Sequence, residues 1–200
     1  MSEQAKNLQT NPGFELPKNQ SVLDASEIET FELGKFPEKQ FFLAQLASFV
    51  MPVAPVTKKD GKLQSVNVKY HQNYDDPENH DDQLVNRMFL NYVFDDHDKA
   101  SDWNVKNGIV FDFDAASFNE DSVPIDYYLQ SKKNKERIFA LLKPKIDFFV
   151  SMIEGENGLN FLAGLLKKSG YKGDASKIQS VLLSRCKNIF NVVNNQYTYL

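Results

Sequence analysis

The spacing of apolar residues changes once along this chain, near residue 115, and that change limits what it can fold into. Before it, short alternating runs predict strands set among helices. After it, apolar residues recur every three or four positions, the period of one helix face. Phe42, Leu46, Phe49 and Val50 predict a first helix, opened by Pro37, whose fixed φ suits the first helical position, and ended by Pro52. Pro52 and Pro55 leave MPVAPVT extended, at best an edge strand. Asp60-Gly61 then predicts a hairpin turn, and Val66, Val68 and Tyr70 alternate as a half-buried strand does. Leu84, Met88 and Tyr92 form one helical row and Val85, Phe89 and Val93 the next, while Ile109, Phe111 and Phe113 alternate as a second strand.

In the remainder, Asn134 is placed to cap a helix through Ile138, Leu141 and Leu142, which Pro144 breaks or kinks. A continuation from Ile146 to Ile153 ends at Gly155, and Leu159, Leu162, Leu165 and Leu166 predict a short helix closed by Gly170. Asp174 caps the last helix, which carries Ile178, Val181, Leu182, Ile189 and Val193. The fold class is therefore α+β and helix-dominated, with a small antiparallel β element in the first 115 residues and a helical C-terminal third. Composition divides the chain into a flexible polar arm (1–30), a mixed α/β region with an acidic segment (31–130) and a basic helical region (131–200). The last two are expected to close into one compact domain.

Charge follows the same division. Residues 1–70 carry eight basic and eight acidic side chains, residues 71–130 three and fourteen, and residues 131–200 twelve and five. A chain so divided can pair its own halves or present faces of opposite sign to neighbours. Sixteen phenylalanines can build a core from few large side chains, and any ring left outside it would be adhesive. Cys186 stands alone, which excludes an intrachain disulfide, and its place among Leu182, Ile189 and Phe190 predicts burial. No apolar run approaches the ~18–20 residues that cross a bilayer, and no secretory leader pattern is present. The expectation is a cytoplasmic protein, or a virion protein if the chain is viral, with no membrane partner.

The three histidines fall between His71 and Asp98 among eight carboxylates. His71, Asp75, Asp76, Glu78, His80 and Asp82, followed by Asp95, His97 and Asp98, hold the ligand types that zinc, manganese and non-haem iron share. The spacing matches no HExxH and no calcium loop, so no cofactor is expected and a divalent metal is the one candidate. Asp95, Asp96 and Asp98 lie where the helix dipole disfavours negative charge, so either the helix stops by Phe94 or a cation compensates. Asp112 and Asp114 fall on one face of the second predicted strand, as paired magnesium carboxylates do. Neither a phosphate-binding glycine loop nor a GxSxG turn accompanies them, and no catalytic residue is assigned.

Lys132, Lys133, Lys135, Arg137, Lys143 and Lys145 could track a nucleic-acid backbone, although only two of the last twelve basic residues are arginine. Phe14, Tyr197, Tyr199 and Leu200 are candidate interface anchors. Absent catalytic motifs, opposite-sign segments and the ring excess fit a non-enzymatic interaction or assembly subunit best, such as a phage or viral structural component. Its partners would be other protein subunits, of the same chain or of another. A metal-dependent hydrolase or nuclease built on residues 71–98 and a nucleic-acid-binding protein built on the basic helices are the alternatives.

Overall fold

The computed structural model describes residues 28–68, 80–96, 105–106, 109–110, 113–119 and 135–195. Strand β1 (Ile28–Glu32) leads into helix α1 (Pro37–Ala47), and β2 (Val56–Lys59) and β3 (Lys62–Val68) follow as a hairpin. Helix α2 (His80–Val93), the short strands β4 (Val105–Lys106) and β5 (Ile109–Val110), and helices α3 (Lys135–Ile153), α4 (Gly155–Ser169) and α5 (Ala175–Asn195) complete the described elements. The class is α+β and helix-dominated, with a small antiparallel sheet early and helices late.

Asp60 and Gly61 carry φ of 52° and 82°, the two left-handed residues that a two-residue hairpin turn requires. Their sheet has the order β1-β3-β2 and is antiparallel throughout. Ile28–Thr30, grouped with the polar arm on composition, open β1. The described buried positions of β3 are Leu63 and Ser65, one residue out of phase with the Val66, Val68 and Tyr70 alternation. Leu33 and Val56 join them beneath the sheet. The extended segment before β2 is tied to β5: Ala54 N–H donates to Val110 O (2.8 Å) and Val110 N–H to Pro52 O (3.0 Å).

The helices α2 to α5 pack together, α1 lies on α4, and β3 rests against α1. Phe89 and Phe94 meet each other edge-on at 5.8 Å and join α2 to α3 through two edge-on contacts with Phe149, at 5.1 and 5.9 Å. Each such pair stabilises by about 0.5–1.5 kcal/mol beyond the area it buries. Most of the described phenylalanines thus find an internal home. Among the described residues only Phe36 and Phe148 remain as exposed large apolar side chains. One core cluster runs from Leu33 to Ile189 and draws on all five helices and the sheet.

Two expectations change. Pro144 does not end a helix: α3 runs through it for 19 residues. Pro144 and Ala140 are both exposed, so the carbonyl that loses its donor at Pro144 lies on the exposed side of α3, where water can hydrogen-bond to it. The second strand is shorter than the alternation predicts, with β5 covering Ile109–Val110 and Asp114 lying in a turn beyond it. Asp174 caps α5 as expected, its Oδ1 accepting from the N–H groups of Ser176 (2.8 Å) and Lys177 (3.1 Å).

Candidate functional site

Helix α2 stops at Val93, and its acidic end turns inward rather than into water. Asp95 adopts a left-handed φ of 54°, which aspartate tolerates better than most residues. Its side chain and that of Asp96 are buried, at 2% and 0% exposure. The compensating cation is Arg185, from the middle of α5. One guanidinium nitrogen lies 3.7 Å from Asp95 Oδ2. The guanidinium also donates to three carbonyls: Val93 (3.1 Å), Ser117 (2.7 Å) and Asn119 (2.7 Å). Burial lowers the Arg185 pKa and Asp95 opposes that shift. A guanidinium stays charged throughout.

A second cation holds the same segment from the other side. Lys39 Nζ, on α1, donates to Asp114 O (2.9 Å) and Ala116 O (2.8 Å) and lies 5.0 Å from the centroid of the Phe36 ring. Burial pulls this ammonium below its ordinary pKa, while Asp114 and Asp96 favour its charged form. Ser117 N–H donates to Phe94 O (2.9 Å), and the Phe118 ring meets Phe42 edge-on at 6.1 Å. Residues 113–119 therefore form a strap, gripped by one cation from α1 and one from α5 and anchored on the acidic end of α2. The chemistry of this buried cluster is structural, because the cations' donors are directed at main-chain oxygens.

Phe36 is the unusual surface feature. It precedes a proline, has φ of 51° and is 64% exposed. A bulky residue in this backbone region is strained by about 1–3 kcal/mol, and such strain concentrates where a side chain is held for use.

Of the candidate metal ligands, His71, Asp75, Asp76, Glu78, His97 and Asp98 lie outside the described residues. His80 and Asp82 lie in the first turn of α2, and Asp95 is engaged with Arg185. Among the described residues no three His, Cys, Asp or Glu side chains gather as a metal group. Asp112 lies outside the described residues, and Asp114 contributes its carbonyl to Lys39. Lys132 and Lys133 also lie outside them, while Lys135 and Arg137 begin α3. Lys143 pairs with Asp147 one turn on, and Lys145 turns inward to donate to Val50 O (2.7 Å). Phe14, Tyr197, Tyr199 and Leu200 lie outside the described residues.

Arg185 and Lys39 are not legible as site residues from the chain alone. The one signal for Arg185 is its position directly before Cys186, on the edge of the apolar stripe of Leu182 and Ile189. Cys186 itself is 1% exposed, and burial pushes its thiol up to about 12. The thiolate is the reactive form, so the native chain at pH 8 is expected to resist Ellman's reagent and to react fully in denaturant. Rapid labelling of the folded protein would contradict this burial.

No helix among the described residues is long and apolar enough to cross a membrane. Comparison with protein-family models, with curated proteins and with solved structures finds no match.

Proposed function

We propose that the protein is a non-enzymatic assembly subunit that associates with a second copy of itself through the open edge of its sheet. The observation that carries this reading is the outer side of β1. Leu33 N–H donates to Leu63 O at 2.9 Å, and the register of β1 on β3 then fixes the alternation. Glu29 and Phe31 direct their backbone groups at β3, whereas Ile28, Thr30 and Glu32 direct theirs away. Among the described residues no strand lies on that outer side.

The opposite edge is guarded. β2 shows exposed Lys58 and Lys59 and follows exposed Pro55, features that discourage further pairing. β1 contains neither lysine nor proline. Antiparallel pairing of β1 with its own copy about Thr30 sets Thr30 against Thr30, Glu29 against Phe31 and Ile28 against Glu32. No two carboxylates oppose each other, and the outward donors and acceptors meet.

Thr30→Pro removes an outward N–H and leaves the β1–β3 ladder its bonds. Sedimentation velocity is expected to show a dimer for the wild-type chain and a monomer for the variant, with unchanged circular dichroism. A wild-type chain that remains monomeric at its highest soluble concentration would overturn the proposal, as would a variant that dimerises equally well.

A further inference from the structure

Three helix ends meet at one corner of the molecule, beside the strap. Helix α1 packs on α4, and the start of α1 lies against the end of α4. A Cβ placed on Gly170 would stand 3.7 Å from Glu38 Cγ, and the Tyr171 ring lies 5.8 Å from that of Phe42. The loop after Gly170 then turns directly into α5. Lys167 and Lys168 lie in the last turn of α4, Lys172 in the loop, Lys177 in the first turn of α5 and Lys35 just before α1, each within a few residues of these meeting helix ends. All five are exposed, and none has an ion-pair partner among the described residues. Among the described residues Glu38 and Asp174 share the corner, Asp174 being turned to the N–H groups that it caps, and Asp114 and Asp96 favour the charged form of Lys39 on its strap side.

Phe36 stands at the same corner, one residue from Lys35 and two from Glu38. Lys39 covers one face of its ring. With the residue 64% exposed, the remaining surface of the ring faces solvent. The left-handed backbone at Phe36 therefore holds a flat apolar ring outward, near lysines that have no ion-pair partner among the described residues. We infer that this corner binds single-stranded nucleic acid, with the lysines on successive phosphates and one base stacked on Phe36.

The partner class follows from the combination. Lysine ammonium groups act on phosphates as point charges, and they suit a backbone that is tracked without base readout. A ring offered face-on suits a base free of its complement, since in a duplex the base faces are already stacked. An acidic protein would use the charge but would leave the ring without a flat partner. The corner involves helix ends only and does not rest on the strand-edge reading, so either can fail without the other.

Fluorescence anisotropy of the full chain with a labelled thymine homopolymer tests the inference, with a ribonucleotide homopolymer and a duplex as further arms. Lys167→Gln combined with Lys168→Gln, Lys172→Gln and Lys177→Gln is expected to weaken binding at least tenfold. It should also flatten the dependence on salt, by about 0.7 in log–log slope for each phosphate no longer neutralised. Phe36→Gly is expected to weaken binding about 5- to 150-fold, and Phe36→Trp to restore it. Glycine suits a φ of 51°, so the Phe36→Gly chain should melt no lower than wild type, which separates a missing stack from a damaged fold. Equal weakening on ribo- and deoxyribo-homopolymers supports backbone-and-base recognition common to both, and weakening confined to one names the natural ligand. No binding by the wild-type chain would overturn the inference. So would binding that ignores these substitutions, tighter binding of the duplex, or equal competition by polyglutamate of matched charge.

Discussion

Replacing Arg185 with methionine is expected to lower folding stability by about 3–5 kcal/mol, the cost of breaking a buried ion pair from one side. The loss has two parts. Asp95, 2% exposed, loses the cation that offsets its charge at the disfavoured end of a helix. The carbonyls of Val93, Ser117 and Asn119 also lose a charged donor. Asp95→Asn separates these parts, because asparagine keeps the left-handed backbone comfortable and Arg185 retains its three carbonyls. The Asp95→Asn chain should therefore lose clearly less than the Arg185→Met chain in urea denaturation. Equal losses would mean that the ion pair, and not the grip on the strap, dominates.

Gly158→Ala is expected to destabilise by at least about 3 kcal/mol, the upper range for forcing atoms into packed space. The sign is notable because glycine to alanine inside a helix ordinarily gains about 1 kcal/mol. Gly158 lies within α4, where the chain turns sharply out of α3, and a Cβ there would fall inside the van der Waals shell of the Ile153 carbonyl and Cα. Main chain supplies the obstruction, so no rotamer change relieves it. Gln179 closes the same corner from α5, donating to Ile153 O and Gly155 O at 2.7 Å each. Gly164, in the same helix, is the internal control. Nothing lies within 4 Å of a Cβ there, and Gly164→Ala should gain up to about 1 kcal/mol. Thermal melts of the two variants should move in opposite directions. A common direction would contradict the close approach of Gly158 to the Ile153 main chain.

Features decided within a few residues are legible from the chain. The Asp60-Gly61 turn, Pro37 at a helix start, Gly170 at a helix end and Asp174 as a cap each act through neighbouring backbone, and each lies where its local chemistry requires. Features decided across long separations are not. β1 exists because β3 offers it a ladder 32 to 40 residues further on, which its own polar sequence does not announce. Pro144 reads as a break or a kink, and which of the two occurs depends on how the surrounding helix packs. The acidic end of α2 announces the need for a cation. That Arg185 meets this need follows only from the packing of α2 on α5. Lys145 illustrates the reverse error: a cation that composition groups with the basic surface reaches inward to Val50 O.

The strap also sets an order of events. Its partners lie far apart along the chain: Lys39 is 75 and 77 residues from the carbonyls that it holds, and Arg185 is 66 to 92 residues from its own. Closing such separations is slow compared with local helix formation. During synthesis, residues 113–119 emerge long before Arg185 and can be held only by Lys39, Phe94 and Phe42 until α5 has been made. Arg185→Met is therefore expected to raise the unfolding rate more than it lowers the folding rate, because contacts formed after the transition state act chiefly by slowing escape from the folded state. The buried arginine then governs how long the finished molecule stays closed more than how fast it closes.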